Sequence, residues 1–290
     1  MILFSFIILS ILITLGICLL TPLNNYMTSP IYILICIGVF IASFIVLILL
    51  FALFLTIYLS KVDMSKKQNP KKFDMNLMKR ASEFVLQVSN IKLHTRGIEN
   101  LPLDKKFLFV QNHLSNYDVV ATTWALRDFD ISYIFKMSLL KVPFLGKFLH
   151  KVRQLAIDRS DNRQGLRVII DAINLIKDNY HCVGVYPEGT RSKDHNLAPF
   201  HAGTFKIALK AQCPLVVTTI VNTEAKKYHT IFRPTHVYFD VVKVLEYDDY
   251  KDLTSEEIAE YAHQLIEDNL KELDILRDKP YLKHKKIARD

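Results

Sequence analysis

The first 60 residues contain no Asp, Glu, Lys, Arg or His, and this absence constrains the fold more than any other feature. A chain can cross hydrocarbon as a helix of ~20 apolar residues, because a helix satisfies its own backbone hydrogen bonds. Residues 1–20 are long enough for one such helix. Residues 31–60, at roughly 45 Å of helix, exceed the ~30 Å hydrocarbon core. A polar turn with Pro22 and Pro30 near its ends separates the two runs. The sequence therefore predicts an N-terminal membrane hairpin of two helices.

The orientation of this hairpin follows from the charges behind it. The first charged residue is Lys61, and lysines concentrate on the cytoplasmic side of membrane helices. We therefore expect the globular part of the chain to face the cytoplasm. A cleaved signal peptide is the competing interpretation of the first run, but no basic residue precedes it and no small-residue cleavage site follows. A hairpin that crosses the bilayer and one that enters a single leaflet fit the sequence equally well.

The net charge of +8 favours an anionic partner, either a membrane surface or nucleic acid. Basic residues are concentrated directly after the apolar region, within residues 61–80, and again within residues 283–289. Because the hairpin already brings the chain to a bilayer, we expect an anionic membrane surface and no nucleic acid. The C-terminal cluster fits an ordinary solvated face as well. The four cysteines are scattered without metal-ligand spacing, so they predict free thiols and no metal site.

Three regions follow from the pattern: a membrane anchor (1–60), a basic linker with an amphipathic helix (61–90), and a globular domain (91–290). In the last region apolar strands alternate with amphipathic helices, which predicts an α/β domain with a mixed, mostly parallel sheet flanked by helices. Functional residues of such domains usually follow the carboxyl ends of strands. The predicted strands are 91–96, 107–110, 131–135, 182–186, 215–221 and 237–245, and the predicted helices are 73–88, 117–126, 163–176, 202–211 and 255–273. In the helix at 163–176 the period predicts that four residues point inward: Val168, Ala172, Leu175 and Ile176.

His113 follows the apolar strand at residues 107–110, and Asp118 stands five residues later at the start of a predicted helix. A turn of this length can fold the carboxylate back onto one ring nitrogen of the histidine. The other nitrogen is then free to accept a proton, and a placed base of this kind contributes roughly 10²–10⁴ in rate. The alternative is a loop histidine beside an acid that stabilises a helix N-terminus. The pair by itself does not name a reaction.

Two further blocks follow in order. We count the stretch from Asn112 to Asp118 as the first block. The second block spans Lys136, Gly146 and Arg159, and the third block reads Tyr-Pro-Glu-Gly-Thr-Arg-Ser over residues 186–192. Together with Asn112-His113 and Asp118, they resemble the motifs of the glycerolipid acyltransferase family. The resemblance covers roughly residues 91–221. A fourth block of that family commonly has two prolines. Here only Pro214 is present, which leaves the acyl-chain preference open.

The resemblance implies a specific chemistry. His113, oriented by Asp118, would deprotonate the 2-hydroxyl of 1-acylglycerol 3-phosphate, which would attack an acyl thioester and yield phosphatidate. No metal or other cofactor is implied; acyl-CoA or acyl-carrier protein would be the donor substrate, and the acceptor would be a membrane lipid. The family's second and third blocks hold the phosphorylated acceptor, which here implies the following binding residues: Lys136, Arg159, Glu188, Gly189, Thr190 and Arg191.

Two alternatives accompany this interpretation. The acceptor could be glycerol 3-phosphate or another lysophospholipid. A protein of another class, an inactive lipid-binding membrane protein, would have no need for a base such as His113.

Without the motif spacing, Arg159 would be interpreted as a surface ion pair with Asp158 or Asp161. The form of the third block and the absence of targeting signals suggest the inner membrane of a bacterium as the location.

Overall fold

The computed structural model describes residues 2–20, 30–192 and 196–276, and it divides into two compact units, Met1–Lys67 and Gln68–Asp290. The first unit contains helices α1 (Ile2–Leu20) and α2 (Pro30–Ser60). The polar turn and the C-terminal basic cluster predicted from the sequence lie outside the described residues.

The two helices of the first unit run antiparallel. The ring of Phe6 lies 5.7 Å from that of Phe51, and the Sγ atoms of Cys18 and Cys36 are 3.1 Å apart. The start of α1 therefore lies beside the end of α2, as expected for a hairpin. Among the described helices, α2 is the one long and apolar enough to cross a membrane. The two-helix arrangement predicted from the apolar runs is confirmed.

The second unit is built on a seven-stranded sheet with the order β1-β7-β6-β2-β5-β3-β4. Five strands are parallel to one another; β7 runs antiparallel to β6, and β1 runs parallel to β7. The predicted α/β class with a mixed, mostly parallel sheet is thus confirmed. The strands are β1 (Ile91–Arg96), β2 (Leu108–Gln111), β3 (Ile131–Lys136), β4 (Leu155–Ile157), β5 (Cys182–Val185), β6 (Leu215–Val221) and β7 (Thr235–Leu245).

Helices cover both faces of this sheet. Alternate side chains of β2 enter different cores, because successive residues of a strand point to opposite faces. Leu108 and Val110 pack in the core that includes α6, α7 and α8, and Phe109 packs in the core that includes α3 and α4. The helices of this unit are α3 (Lys72–Val88), α4 (Tyr117–Ala125), α5 (Leu145–Lys151), α6 (Asn162–Lys177), α7 (Lys206–Ala211) and α8 (Ser255–Glu272).

Helix α6 shows how local sequence determines an element. The side chain of Asp161 accepts hydrogen bonds from the backbone N–H groups of Arg163 (2.9 Å) and Gln164 (3.0 Å), which caps the helix N-terminus. Its buried face consists of Val168, Ala172, Leu175 and Ile176, the four positions predicted to point inward.

Three elements differ from the prediction, namely β4, α5 and the helix at residues 202–211. Strand β4 and helix α5 were not predicted, because three and seven residues are too few to show a period. The helix predicted for residues 202–211 is a 3₁₀ turn, Ala202–Thr204, followed by the short α7. Helix α3, grouped with the linker in the sequence analysis, contributes Leu86 to the core of the second unit.

Candidate active site

Four neighbouring parallel strands, β2, β5, β3 and β4, carry the predicted site residues just beyond their carboxyl ends. His113 follows β2, Glu188 follows β5, Lys136 ends β3 and Arg159 follows β4. Because neighbouring strands are about 4.8 Å apart, β2 and β4 are separated by about 14 Å. One edge of the sheet therefore brings together residues that are widely spaced in the sequence.

His113 and Asp118 form a hydrogen-bonded pair at this edge. The Nδ1 atom of His113 lies 2.7 Å from Oδ2 of Asp118, while the His113 side chain is 18% exposed and the Asp118 side chain is fully buried. The carboxylate fixes the ring so that Nε2 is the nitrogen able to accept a proton. This is the geometry that the five-residue spacing predicted.

Asp118 is held by three further donors. Its Oδ2 atom accepts from the backbone N–H groups of Leu114 (2.7 Å) and Ser115 (2.9 Å). Its Oδ1 atom accepts from the hydroxyl of Thr223, which is buried in the turn after β6. Sequence reasoning missed Thr223, since a lone threonine 105 positions away from Asp118 carries no recognisable signal.

The third block supports the first through Glu188, which is 3% exposed. Oε1 accepts from the backbone N–H of His113 at 2.7 Å, and Oε2 accepts from the backbone N–H of Ala198 at 3.1 Å. Burial raises the pKa of Glu188, and the two backbone donors partly offset that effect. The N–H of Ser192 donates to the carbonyl of His113 at 2.8 Å. In this structure Glu188 thus fixes the backbone on both sides of the site.

The ring of Tyr186 lies against the imidazole of His113, with centroids 4.2 Å apart and an interplanar angle of 22°. This contact restricts rotation of the imidazole ring, and an aromatic face also stabilises a cation placed above it. Burial raises the pKa of the Tyr186 phenol well above its ordinary value, so the ring remains neutral at physiological pH. The sequence block contained Tyr186 but gave no reason to assign it a role at His113.

Asn112, directly before His113, joins β2 to β6. Its side-chain amide donates to the carbonyl of Ile220 at 2.9 Å and accepts from the N–H of the same residue at 2.8 Å. The amide thus continues the parallel pairing beyond the last residue of β2. His113 is consequently presented from a rigid strand end.

The remaining residues of the third block form an exposed turn. Gly189 has a φ of 70°, and a Cβ atom there would lie 2.8 Å from Nε2 of His201. Glycine is required by this backbone conformation. The Thr190 hydroxyl donates to the carbonyl of Arg191 at 3.2 Å, and Nη1 of Arg191 donates to Oδ1 of Asn116 at 3.3 Å.

Lys136 and Arg159 are exposed at the ends of adjacent strands, where Lys136 is in register with Ile157. The alternative ion pairs of Arg159 are absent among the described residues. The carboxylate of Asp158 instead accepts from the N–H and hydroxyl of Ser160, and Asp161 caps α6. The bonds from Ser160, with a smaller contribution from the charge of Lys136, lower the pKa of Asp158. The guanidinium of Arg159 is therefore available to an anionic ligand.

Within the part of the chain that the structure describes, no group of three His, Cys, Asp or Glu side chains is placed to hold a metal ion. The edge combines a histidine that a buried carboxylate orients with basic side chains two and three strands away. Such an arrangement can deprotonate a neutral hydroxyl on a molecule that also carries an anionic group.

Comparisons with known proteins agree with this chemistry. Residues 92–221 match the sequence profile of the family described as Acyltransferase. A 1-acyl-sn-glycerol-3-phosphate acyltransferase of Salmonella typhimurium is 28% identical over 167 residues, which is 58% of this chain and 68% of that protein. The Escherichia coli protein of the same name is 26% identical over the same shares.

A solved structure has the same fold. The crystal structure of the 1-acyl-sn-glycerophosphate (LPA) acyltransferase from Thermotoga maritima aligns with a TM-score of 0.58 and 21% sequence identity. The alignment covers 69% of this chain and 79% of that protein.

Proposed function

We propose that this chain is an acyltransferase that transfers a fatty acyl group from a thioester to the 2-hydroxyl of 1-acylglycerol 3-phosphate. The observation that carries the proposal is the hydrogen-bonded pair of His113 and Asp118 on the same sheet edge as Arg159, which has no ion pair with a described residue. His113 deprotonates the hydroxyl of the acceptor, and the guanidinium of Arg159 binds the phosphate of the same molecule.

The reaction uses the acceptor itself as the nucleophile. Nε2 of His113 removes the hydroxyl proton while the acceptor oxygen forms a bond to the thioester carbonyl carbon. The C–S bond then breaks, and the departing thiolate takes the proton back from the His113 imidazolium, which yields an ester and a thiol. Asp118 stabilises the imidazolium and keeps the ring in the required tautomer. Since no protein side chain attacks the carbonyl, no acyl-enzyme forms.

Acceptor binding is assigned to the exposed basic side chains of the edge. Arg159 offers parallel donors to phosphate oxygens, whereas Lys136 acts as a point charge. Arg191, tethered to Asn116, contributes a third charge at the turn of the third block. Gly189 and Thr190 form the turn that follows Glu188, where backbone can approach the ligand closely. Direct contact of Glu188 with the acceptor, as the family resemblance implies, stays a prediction.

We place the reaction at the cytoplasmic face of a bacterial inner membrane. Helix α2 is long and apolar enough to span a bilayer, and a basic segment follows it. The acceptor is itself a membrane lipid, so an anchored enzyme meets it at the surface. The donor thiol is coenzyme A or an acyl-carrier protein.

A panel assay tests this proposal. Purified full-length protein is incubated with labelled acyl-CoA or acyl-carrier protein and with 1-acylglycerol 3-phosphate, glycerol 3-phosphate or an uncharged monoacylglycerol. We expect phosphatidate from the first acceptor and no transfer to the uncharged one. Transfer to glycerol 3-phosphate alone would favour that alternative acceptor, and no transfer with any combination would contradict the proposed activity.

A further inference from the structure

An exposed apolar segment directly follows β3 at the edge that carries the site. We call residues 139–145 the Phe144 knuckle. The exposed fraction is 39% for Leu139, 41% for Val142, 59% for Phe144 and 41% for Leu145, and Pro143 is exposed between them. Apolar side chains exposed as a contiguous patch mark an interaction site more often than single ones do.

The backbone holds this segment in a strained turn. Phe144 has φ 60° and ψ −52°, and the N–H of Leu145 donates to the carbonyl of Pro143 at 2.6 Å. This is a γ-turn, a rare conformation for a residue with a side chain, and such strain is retained where the surroundings enforce it. A Cβ atom at Gly146 would lie 2.0 Å from the carbonyl oxygen of Leu140, so the chain can close here only over glycine.

Lysines surround the knuckle. Lys136 precedes it, Lys141 lies within it and Lys147 follows it; all three are exposed. None of them forms an ion pair with a residue that the structure describes. A rim of exposed lysines around an apolar centre is the pattern by which proteins bind an anionic lipid surface.

We propose that the Phe144 knuckle inserts into the anionic membrane surface and brings the sheet edge against the bilayer. The apolar side chains enter the acyl-chain boundary, while Lys141 and Lys147 stay at the headgroups. Lys136 is the residue at which the knuckle meets the site. A lipid acceptor would then reach Lys136 and Arg159 without leaving the interface, and this consequence rests on the proposed function.

Depth-dependent fluorescence tests the insertion without reference to catalysis. The single tryptophan of the chain, Trp124, is replaced by Phe, and Phe144→Trp or Val142→Trp supplies a reporter in the knuckle. Leu103→Trp is the matched control, since Leu103 is 83% exposed in the segment before β2, at the opposite edge of the sheet. Full-length protein is reconstituted into phosphatidylglycerol–phosphatidylcholine vesicles with brominated acyl chains.

We expect strong bromine quenching of both knuckle reporters and little quenching at the control. Quenching should decrease in pure phosphatidylcholine and with Lys141→Glu/Lys147→Glu. Equal quenching at residues 144 and 103 would overturn the proposal. So would unquenched, blue-shifted emission at residue 144 in both vesicles and detergent, since it would show that the knuckle packs against this chain or a second copy. Loss of acyl transfer in the panel assay would not affect either readout.

A second inference rests on Thr223, two residues beyond the segment that matches the family. Its side chain is 1% exposed and its hydroxyl donates to Oδ1 of Asp118. The preceding residue, Asn222, has a φ of 73°, and its amide donates to the carbonyls of His236 (3.0 Å) and Leu276 (2.9 Å). A left-handed residue anchored from two sides fixes the turn that presents Thr223.

We infer that Thr223 is a positioning residue for the His113–Asp118 pair. The hydroxyl binds the carboxylate oxygen that does not face the imidazole, so it fixes the rotation of the carboxylate. Without this donor, more of the charge of Asp118 would be available to the His113 imidazolium. Among the described residues, Glu188 and Tyr186 also contact His113, and the charged Arg191 is bonded to Asn116 three residues further along.

Thr223→Val and Thr223→Ser separate this role from a structural one. Loss of this hydrogen bond should lower turnover roughly 10- to 100-fold, because a hydrogen bond to a charged group contributes more free energy than one between neutral groups. The acid limb of the kcat/KM profile should also move to higher pH. Serine should restore both, and Thr219→Val, which removes a buried hydroxyl bonded to Asn269, should leave the limb unchanged.

Near-normal turnover of the valine variant would overturn this inference. A loss with an unchanged acid limb that serine does not rescue would overturn it as well. If the valine variant fails to fold, as judged by circular dichroism, Thr223→Ala is measured in its place against the same criteria.

Discussion

The buried carboxylate of Glu188 lies 2.7 Å from the backbone nitrogen of His113, so the third motif holds the histidine of the first in position. Its other oxygen binds the backbone of Ala198 at 3.1 Å. One side chain thereby joins the ends of β2 and β5 and the loop that precedes α7. These two hydrogen bonds account for a glutamate at position 188 without any ligand.

Replacing Glu188 by Gln should therefore impair both folding and turnover. The amide keeps one acceptor oxygen but turns an NH₂ group toward a backbone N–H that it cannot bind. An unsatisfied buried donor costs about 1–3 kcal/mol. Urea unfolding and steady-state turnover measure the change, with Glu260→Gln on the exposed face of α8 as the matched control. Equal stability of both variants would contradict the bonding described above.

The pH dependence of stability provides a second test of Glu188. Burial raises the pKa of this carboxyl above its unfolded value, so the folded protein retains the proton to higher pH. The stability from Glu188 is thus fully present below the unfolded pKa and is lost as pH rises through the folded pKa. The unfolding free energy of the wild type relative to Glu188→Gln should fall across that window. A difference that rises with pH would have the wrong sign.

Replacing Arg159 by Ala should chiefly weaken acceptor binding. Loss of a charge-assisted contact with phosphate should raise KM for the acceptor roughly 10- to 100-fold, with a smaller change in kcat. Arg159→Lys should recover part of the effect, because it keeps the charge but loses the paired donors. Arg167→Ala, on the exposed side of α6, is the control. An unchanged KM would remove Arg159 from the phosphate site.

Gly189→Ala should destabilise the turn of the third block. A non-glycine residue at a φ of 70° is strained, at a cost of about 1–3 kcal/mol, and the new methyl group would also meet His201. Gly203→Ala is the matched control, since a Cβ atom there meets nothing within 4 Å. The double variant Gly189→Ala/His201→Ala should recover only the part of the lost stability that comes from the contact with His201. If both glycine variants unfolded at the same urea concentration, the strain would be refuted.

Much of this architecture could be predicted from the sequence, because the long elements have clear periods. The buried face of α6 and the bounds of β1 and β6 match their predictions, and the spacing of His113 and Asp118 gave the correct local geometry. These features depend on residues that are neighbours in the chain.

What escaped prediction depends on distant contacts. Thr223 reaches Asp118 only because β6 lies beside β2, and Tyr186 stacks on His113 only because β5 lies on the other side. The family resemblance implied that Glu188 binds the acceptor. In the structure, both of its carboxylate oxygens accept hydrogen bonds from backbone N–H groups. A sequence does not reveal which strands are adjacent, so it could not reveal these partners.

The central claim is that His113 is the base for a lipid hydroxyl, and His113→Ala tests it most directly. Wild type and variant, matched for folding and for vesicle reconstitution, are assayed with labelled acyl donor and 1-acylglycerol 3-phosphate. The wild type should form phosphatidate without a labelled protein intermediate, and the variant should lose at least about 10²-fold in turnover at unchanged vesicle binding. Near-normal turnover by the variant, or a covalent acyl-protein in the wild type, would contradict the account.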